Sequence, residues 1–430
     1  MTRGFVVANP GSIPEITHMA NTLAGAGFLR AYVAPFAPTS SEIAASPLAK
    51  LGPIGRGVAN QLRRRTVSEE VGRAQRYPAA QVREVAMVVA ARLGVPPGQL
   101  HRLIVWRNHA FQLAVARVIQ AEDCGLLVPA SAALAPLEQA RRIAVPTWLD
   151  CPTAHHRYVA RLLTEETRLH PDFAETLRGN VVSSATDRQL SREITVADNI
   201  IVLSSFQLRT FVEAGVPPER LHVLPLGVDT ELFRPASRSR SETLTIGFVG
   251  QITQRKGISY LVAAFDALSP QNARLLMVGR PVGSSRPWMR EGVEHHPAVA
   301  RWDLPQFYAQ MDVFILPSLI EGFPMTALEA MACGVPVIVS ENTFGNDVVL
   351  DGYNGYVVPI RDVDAIVERV RLLADDESLR LSMSRHARAT AERYTWDIYG
   401  RRLLDLVTGP LSVRNPGDYG ALRSDPNAGQ

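Results

Sequence analysis

The chain has 430 residues, with 45 basic and 42 acidic side chains and a formal net charge of +3. That length exceeds what one hydrophobic core usually holds, so two domains are expected. No apolar run approaches the roughly 18 residues of a membrane span. Cys124, Cys151 and Cys333 are odd in number and widely spaced, which excludes a disulfide framework and the paired spacings of metal or redox sites.

In chain order, Met1-Thr-Arg-Gly leads straight into an apolar strand, Phe5 to Asn9, without a cleavable signal, so a cytoplasmic location is expected. Pro10-Gly11-Ser12 and a helix from about Pro14 to Ala24 continue it as the first strand, turn and helix of a doubly wound domain. The basic excess lies in the first half, much of it between Lys50 and Arg92, including Arg63, Arg64, Arg65, Arg73, Arg76 and Arg83. Few aromatics interleave, so no nucleic-acid partner is expected. The run reads as a solvated helix face, or as contact with an anionic membrane or acceptor. Gly52, Gly55 and Gly57 do not follow a strand and make no dinucleotide fingerprint. Arg142 to Asp150, Asn199 to Ser205 and His222 to Leu226 supply later strands, and the polar stretch Pro235 to Glu242 divides the domains.

In the second half, strands over Leu244–Gly250, Arg274–Gly279, Val313–Ser318, Val335–Ser340 and Gly355–Pro359 alternate with helices such as Ser259 to Leu268 and Val363 to Leu373. Asp362-Val-Asp364 has the form of a metal-binding carboxylate pair, but Asp362 is placed as a helix N-cap and Asp364 in the first turn. From Thr408 onward the sequence reads as a disordered tail.

The most informative stretch runs from Glu321 to Ser340. Two buried strands flank a short helix that Pro324 opens and Gly334 with Pro336 closes. Glu321 lies in the loop feeding the helix and Glu329 inside it. Unsatisfied N–H groups at a helix start favour an anion such as a diphosphate, and carboxylates beside it suit the hydroxyls of a ribose or hexose. The turn after Gly250 adds Arg255 and Lys256, the latter one of two lysines in the chain. Two adjacent cations neutralise a departing diphosphate.

Glu321-Gly-Phe-Pro and Glu329-Ala-Met-Ala-Cys-Gly-Val-Pro-Val resemble the retaining glycosyltransferases of family four, with Val223–Pro235, Thr245–Gly257 and Asn354–Asp362 in the same order. The resemblance is clear from about Asp198 to Asp376. It implies an α/β GT-B fold, two Rossmann-like domains facing across a cleft. An acceptor domain would span 1–235, with a crossover helix at about 395–408, and a donor domain 240–394; residues 409–430 would be the tail. It further implies a hexosyltransferase that uses a nucleoside-diphosphate sugar and no metal or other cofactor. Glu321, Lys256, Arg255 and His155 would be catalytic, with His156 an alternative to His155. Glu329 would hold the ribose. Phe323, Pro324, Met325, Gly250, Gly11 and Gln251 would line the donor, with Phe323 and Met325 supplying the N–H donors that Pro324 lacks. Two positions depart from the pattern: Gln251 stands where an arginine is expected, and Ser12 replaces a second glycine. The acceptor would be a glycan, a lipid-linked carrier or a small molecule, with envelope or exopolysaccharide assembly the preferred setting. A nucleotide-sugar epimerase and a silent nucleotide-sugar-binding protein are the alternatives.

Overall fold

The computed structural model describes residues 4–409 except 12, 47–64, 94, 96, 178–182, 237–242, 269–272 and 284–286. Lys50, Gly52, Gly55, Gly57, Arg63, Arg64, Ser12, most of the proposed linker and the tail beyond Gly409 therefore lie outside the described residues.

Among the described residues, thirteen parallel strands form two sheets. The first contains β1 (Phe5–Ala8), β2 (Leu29–Ala34), β3 (Gln75–Pro78), β4 (Gly125–Pro129), β5 (Thr147–Asp150), β6 (Asn199–Val202) and β7 (Leu221–Val223), in the order β3-β2-β1-β4-β5-β6-β7. The second contains β8 (Leu244–Val249), β9 (Ala273–Val278), β10 (Val293–His296), β11 (Val313–Leu316), β12 (Val337–Ser340) and β13 (Gly355–Val358), in the order β10-β9-β8-β11-β12-β13. Central strands such as β1, β4, β11 and β12 are buried throughout, as expected of parallel strands covered on both faces by helices. In each sheet the order reverses beside the first strand, leaving a crevice at the carboxyl ends of β1 and β4 and another at those of β8 and β11.

The strand expected from Arg142 begins only at Thr147, because Leu134–Arg142 is helical and Pro146 precedes the strand. Four strands were not anticipated. Two of them, β3 (QRYP) and β10 (VEHH), are polar sheet edges with no apolar run to announce them.

The Trp396–Thr408 helix packs on the Pro14–Gly25 helix of the first domain, where the Trp396 and His18 rings stack at 3.6 Å. The chain passes between domains as two adjacent segments: Val228 N–H donates to Tyr394 O at 2.7 Å. A Cβ on Gly227 would lie 2.4 Å from Trp396 N, so only glycine fits there.

After β8 the chain makes a 3-10 turn, Gln254–Lys256, and then Gly257 at φ +74° starts the Ile258–Ala267 helix. A Cβ on Gly257 would lie 2.0 Å from Pro317 O, just past β11, so this turn presses on the neighbouring strand. Gly257→Ala combines a left-handed backbone with a backbone clash and is expected to destabilise the protein by about 3 kcal/mol. The check is a denaturant titration; an unchanged midpoint would refute the close approach.

Candidate active site

The turn after β8 and the loop after β11 meet at the second crevice. Lys256 Nζ lies 2.8 Å and Arg255 Nη2 3.2 Å from Glu321 Oε1. Burial alone would raise the Glu321 carboxyl, but Lys256 and then Arg255 outweigh it and hold the group below its ordinary range. The cluster is thus a carboxylate between two cations. Gly250, at φ +148°, passes over it: a Cβ there would be 3.8 Å from Lys256 Cε. Gln251 is exposed, so the charge at this turn comes from Arg255 and Lys256.

Pro324 caps the Met325–Ala332 helix, and Ala327 and Leu328 N–H groups turn back to its carbonyl at 3.0 and 3.3 Å. Phe323 is buried against Phe344 and Tyr394, which fixes the loop that enters the helix. Beside the helix start the buried Thr326 hydroxyl has no hydrogen-bond partner among the described residues. Glu329 lies one turn further in. Tyr308 Oη donates to its Oε2 at 3.1 Å and Arg301 Nε to its Oε1 at 3.2 Å. Burial raises its pKa, with Arg301 and Tyr308 opposing. Each oxygen keeps a lone pair beyond those two bonds.

On the first domain, Gly11 sits in a turn held by Asn9, whose side chain accepts from Gly11 and Ile13 N–H and donates to Tyr32 Oη. His155 is the N-cap of the His156–Leu169 helix. Its Nδ1 accepts from Arg157 N–H at 3.4 Å, and its ring lies against His156 and edge-on to Phe211. Burial, then His156 and Arg157, push its pKa down to about 4. His156 turns to Asp187 and Ser191 of its own domain. Asp150, at the end of β5, has both carboxylate oxygens buried and without a hydrogen-bond partner among the described residues. Burial, with Glu15 adding to it, pushes its pKa well up.

The domains are fastened across the cleft by contacts that sequence reasoning missed. The fully buried Glu166 accepts from Gln254 Nε2 at 2.6 Å, Tyr260 Oη at 2.8 Å and Arg361 Nε at 2.9 Å. These partners are 88, 94 and 195 residues away, so no spacing could have signalled them. Gln254 N–H also donates to Thr176 Oγ1, and a Cβ on Gly322 would lie 2.1 Å from Pro152 O. Asp362 accepts from Ala365 N–H at 2.8 Å, which makes it the helix cap.

Residues 229–390 match the family model described as glycosyl transferases group 1. The chain carries a group 1 glycosyltransferase domain. This glycosyltransferase domain contains Glu321, Glu329, Arg255 and Lys256. Over 307 residues the chain is 29% identical to a D-inositol 3-phosphate glycosyltransferase of Xylanimonas cellulosilytica, covering 65% of this chain and 70% of that one. It is 31% identical over 244 residues to a GDP-mannose-dependent alpha-(1-6)-phosphatidylinositol monomannoside mannosyltransferase of Mycolicibacterium smegmatis, covering 51% of this chain and 64% of that one. Among solved structures, sucrose-phosphate synthase from Thermosynechococcus elongatus superposes with TM-score 0.62 at 16% identity, over 95% of this chain and 98% of that one. The Anabaena HepE complex with UDP and glucose gives 0.60 at 15%, over 95% and 100%. The fold is GT-B.

Two outcomes are expected. Glu166→Ala removes the acceptor shared by Gln254, Tyr260 and Arg361, which keep only Ser259, His170 and Glu165 as partners, and should lower stability by about 1 to 3 kcal/mol. Thermal melting checks this, and an unchanged melt would show that the cross-domain contact contributes little. For His155, the folded pKa of about 4 lies below the ordinary 6.5, so the unfolded chain takes up a proton first as pH falls. Stability is therefore lost between these values, by up to about 3 kcal/mol, and His155→Asn, which keeps a capping oxygen, should flatten that slope. Denaturation midpoints from pH 7 to pH 4 read it.

Proposed function

We propose that the protein transfers a sugar from a nucleoside-diphosphate sugar to an acceptor hydroxyl, with retention of anomeric configuration and no metal, in cell-envelope or exopolysaccharide glycan assembly. The observation that carries this reading is the Glu321–Lys256–Arg255 cluster at the β8/β11 crevice, beside the start of the Met325–Ala332 helix. The relatives' names support an acceptor carrying a phosphate or a lipid.

The chemistry is an exchange of partners. A diphosphate entering beside the helix start competes with Glu321 for Lys256 and Arg255, and the cations then stabilise the charge that develops as the nucleotide leaves. Glu321, released from them, turns its oxygens to the sugar hydroxyls. Glu329, fixed by Tyr308 and Arg301, offers its remaining lone pairs to the ribose. The oxocarbenium-like sugar is attacked on the face from which the diphosphate departs, and the departing phosphate takes the acceptor proton. Domain closure excludes water from this step.

The test is a thermal-shift panel with UDP, GDP and ADP and their common sugars, in EDTA. One nucleotide class should stabilise the protein, by roughly 2.7 kcal/mol at a hundredfold excess over Kd. Glu329→Ala should lose that shift. Glu321→Ala should keep or strengthen nucleotide binding, because its cations are freed, while sugar transfer is lost. Absence of any shift, or wild-type turnover in both variants, overturns the reading, as does an epimer formed from donor alone.

A further inference from the structure

Among the described residues, three of the arginines that suggested a membrane surface are engaged within the protein. Arg65 pairs with Glu84 and Arg76 with Glu42, while Arg83 donates to Trp106 O and covers the Trp106 ring at 4.4 Å. The helices that follow present a different surface. In the Gln81–Arg92 helix and the residue after it, Val82, Val85, Val89 and Leu93 are exposed at helical spacing, Val82 by 80% and Leu93 by 77%. The Pro97–Val118 helix packs beside it and exposes Val105, Trp106 and Leu113 at the same period. Phe111 and Val115, on its opposite face, are in the core.

The Gln81–Arg92 helix is thus apolar outside and carries its acid inside. Glu84 is buried between Arg65 and Arg107, and Arg107 Nη1 also donates to Pro10 O beneath the Pro10-Gly11 turn. Glu84 is the only acidic residue from Gln81 to Ala121, a stretch with five arginines. Of these, Arg102 and Arg117 are exposed. An apolar stripe with a tryptophan, on two helices whose exposed charged side chains are arginines, complements the boundary of an anionic bilayer. No helix among the described residues is long and apolar enough to cross a membrane, so this pair would lie on it.

We propose that the outer face of the Gln81–Arg92 and Pro97–Val118 helices docks the protein on an anionic lipid bilayer. The inner face of the same pair holds the turn at the carboxyl end of β1, so docking sets the first-domain crevice at the membrane surface, where a lipid-borne acceptor would enter. That last link rests on the proposed function; the docking face itself does not.

The experiment sediments the full chain with phosphatidylglycerol/phosphatidylcholine vesicles and with phosphatidylcholine alone, at low and high salt. Binding is expected to the anionic vesicles, weakened by salt, and to fall at least about tenfold in Val85→Glu/Val89→Glu without a change in melting. Brominated lipid should quench Trp106, an effect lost in Trp106→Phe. Four outcomes overturn the proposal: no binding by the wild type, equal binding to uncharged vesicles, undiminished binding by the double variant, or a wild-type dimer that the double variant dissociates. The nucleotide panel separates the two readings. Vesicle binding without any nucleotide shift sinks the proposed function and leaves the docking face standing.

Discussion

The buried carboxylate of Glu166 holds the two domains in one arrangement. Removing an ion from water costs several kcal/mol, and only close partners offset it. Here all three hydrogen-bond donors to it come from the other domain, with His170 of its own domain 3.8 Å away. One of them, Arg361, has φ +66°, a left-handed conformation that non-glycine residues rarely adopt, and its side chain reaches both Glu165 and Glu166. A second, Gln254, is the first residue of the turn that carries Arg255 and Lys256, and its Oε1 accepts from Ser259 N–H to brace the following helix. Separating the domains would therefore strip Glu166 of its partners and release the cationic turn in the same motion.

That coupling gives the charge cluster its meaning. Glu321 occupies the cations from one side while Glu166 braces their turn from the other, so the position of the positive charge is set by two carboxylates from different domains. The departure at Gln251 also becomes intelligible. A charge placed directly after Gly250 would sit on an exposed residue, whereas Arg255 extends from a turn pinned by Gln254 and Gly257.

The parts of the fold legible in the sequence are those whose logic is local. The crevice strands β8, β11 and β12 are short apolar runs bounded by glycine and proline, and Glu321, Glu329 and the capping proline lie within one strand-to-helix unit. The illegible parts depend on distance or on which way a face turns. Glu166 reads as a helix-surface acid in Leu-Leu-Thr-Glu-Glu until residues far along the chain fold over it. Arg301 and Tyr308, which take hold of Glu329, belong to no motif. The edge strands β3 and β10 are polar because half their surroundings are solvent.

The Gln81–Arg92 helix shows the same limit in its sharpest form. Periodicity reveals an apolar stripe but not whether it faces core or solvent, and the ordinary assumption puts it inside. Here Glu84 occupies the inside, because Arg65 and Arg107 are there to neutralise it and Arg107 is in turn bonded to the Pro10 carbonyl. Once that buried ion cluster fixes the rotation of the helix, the valines have only the outside left. The electrostatics beneath the first-domain crevice and the apolar surface above it are therefore two faces of one constraint.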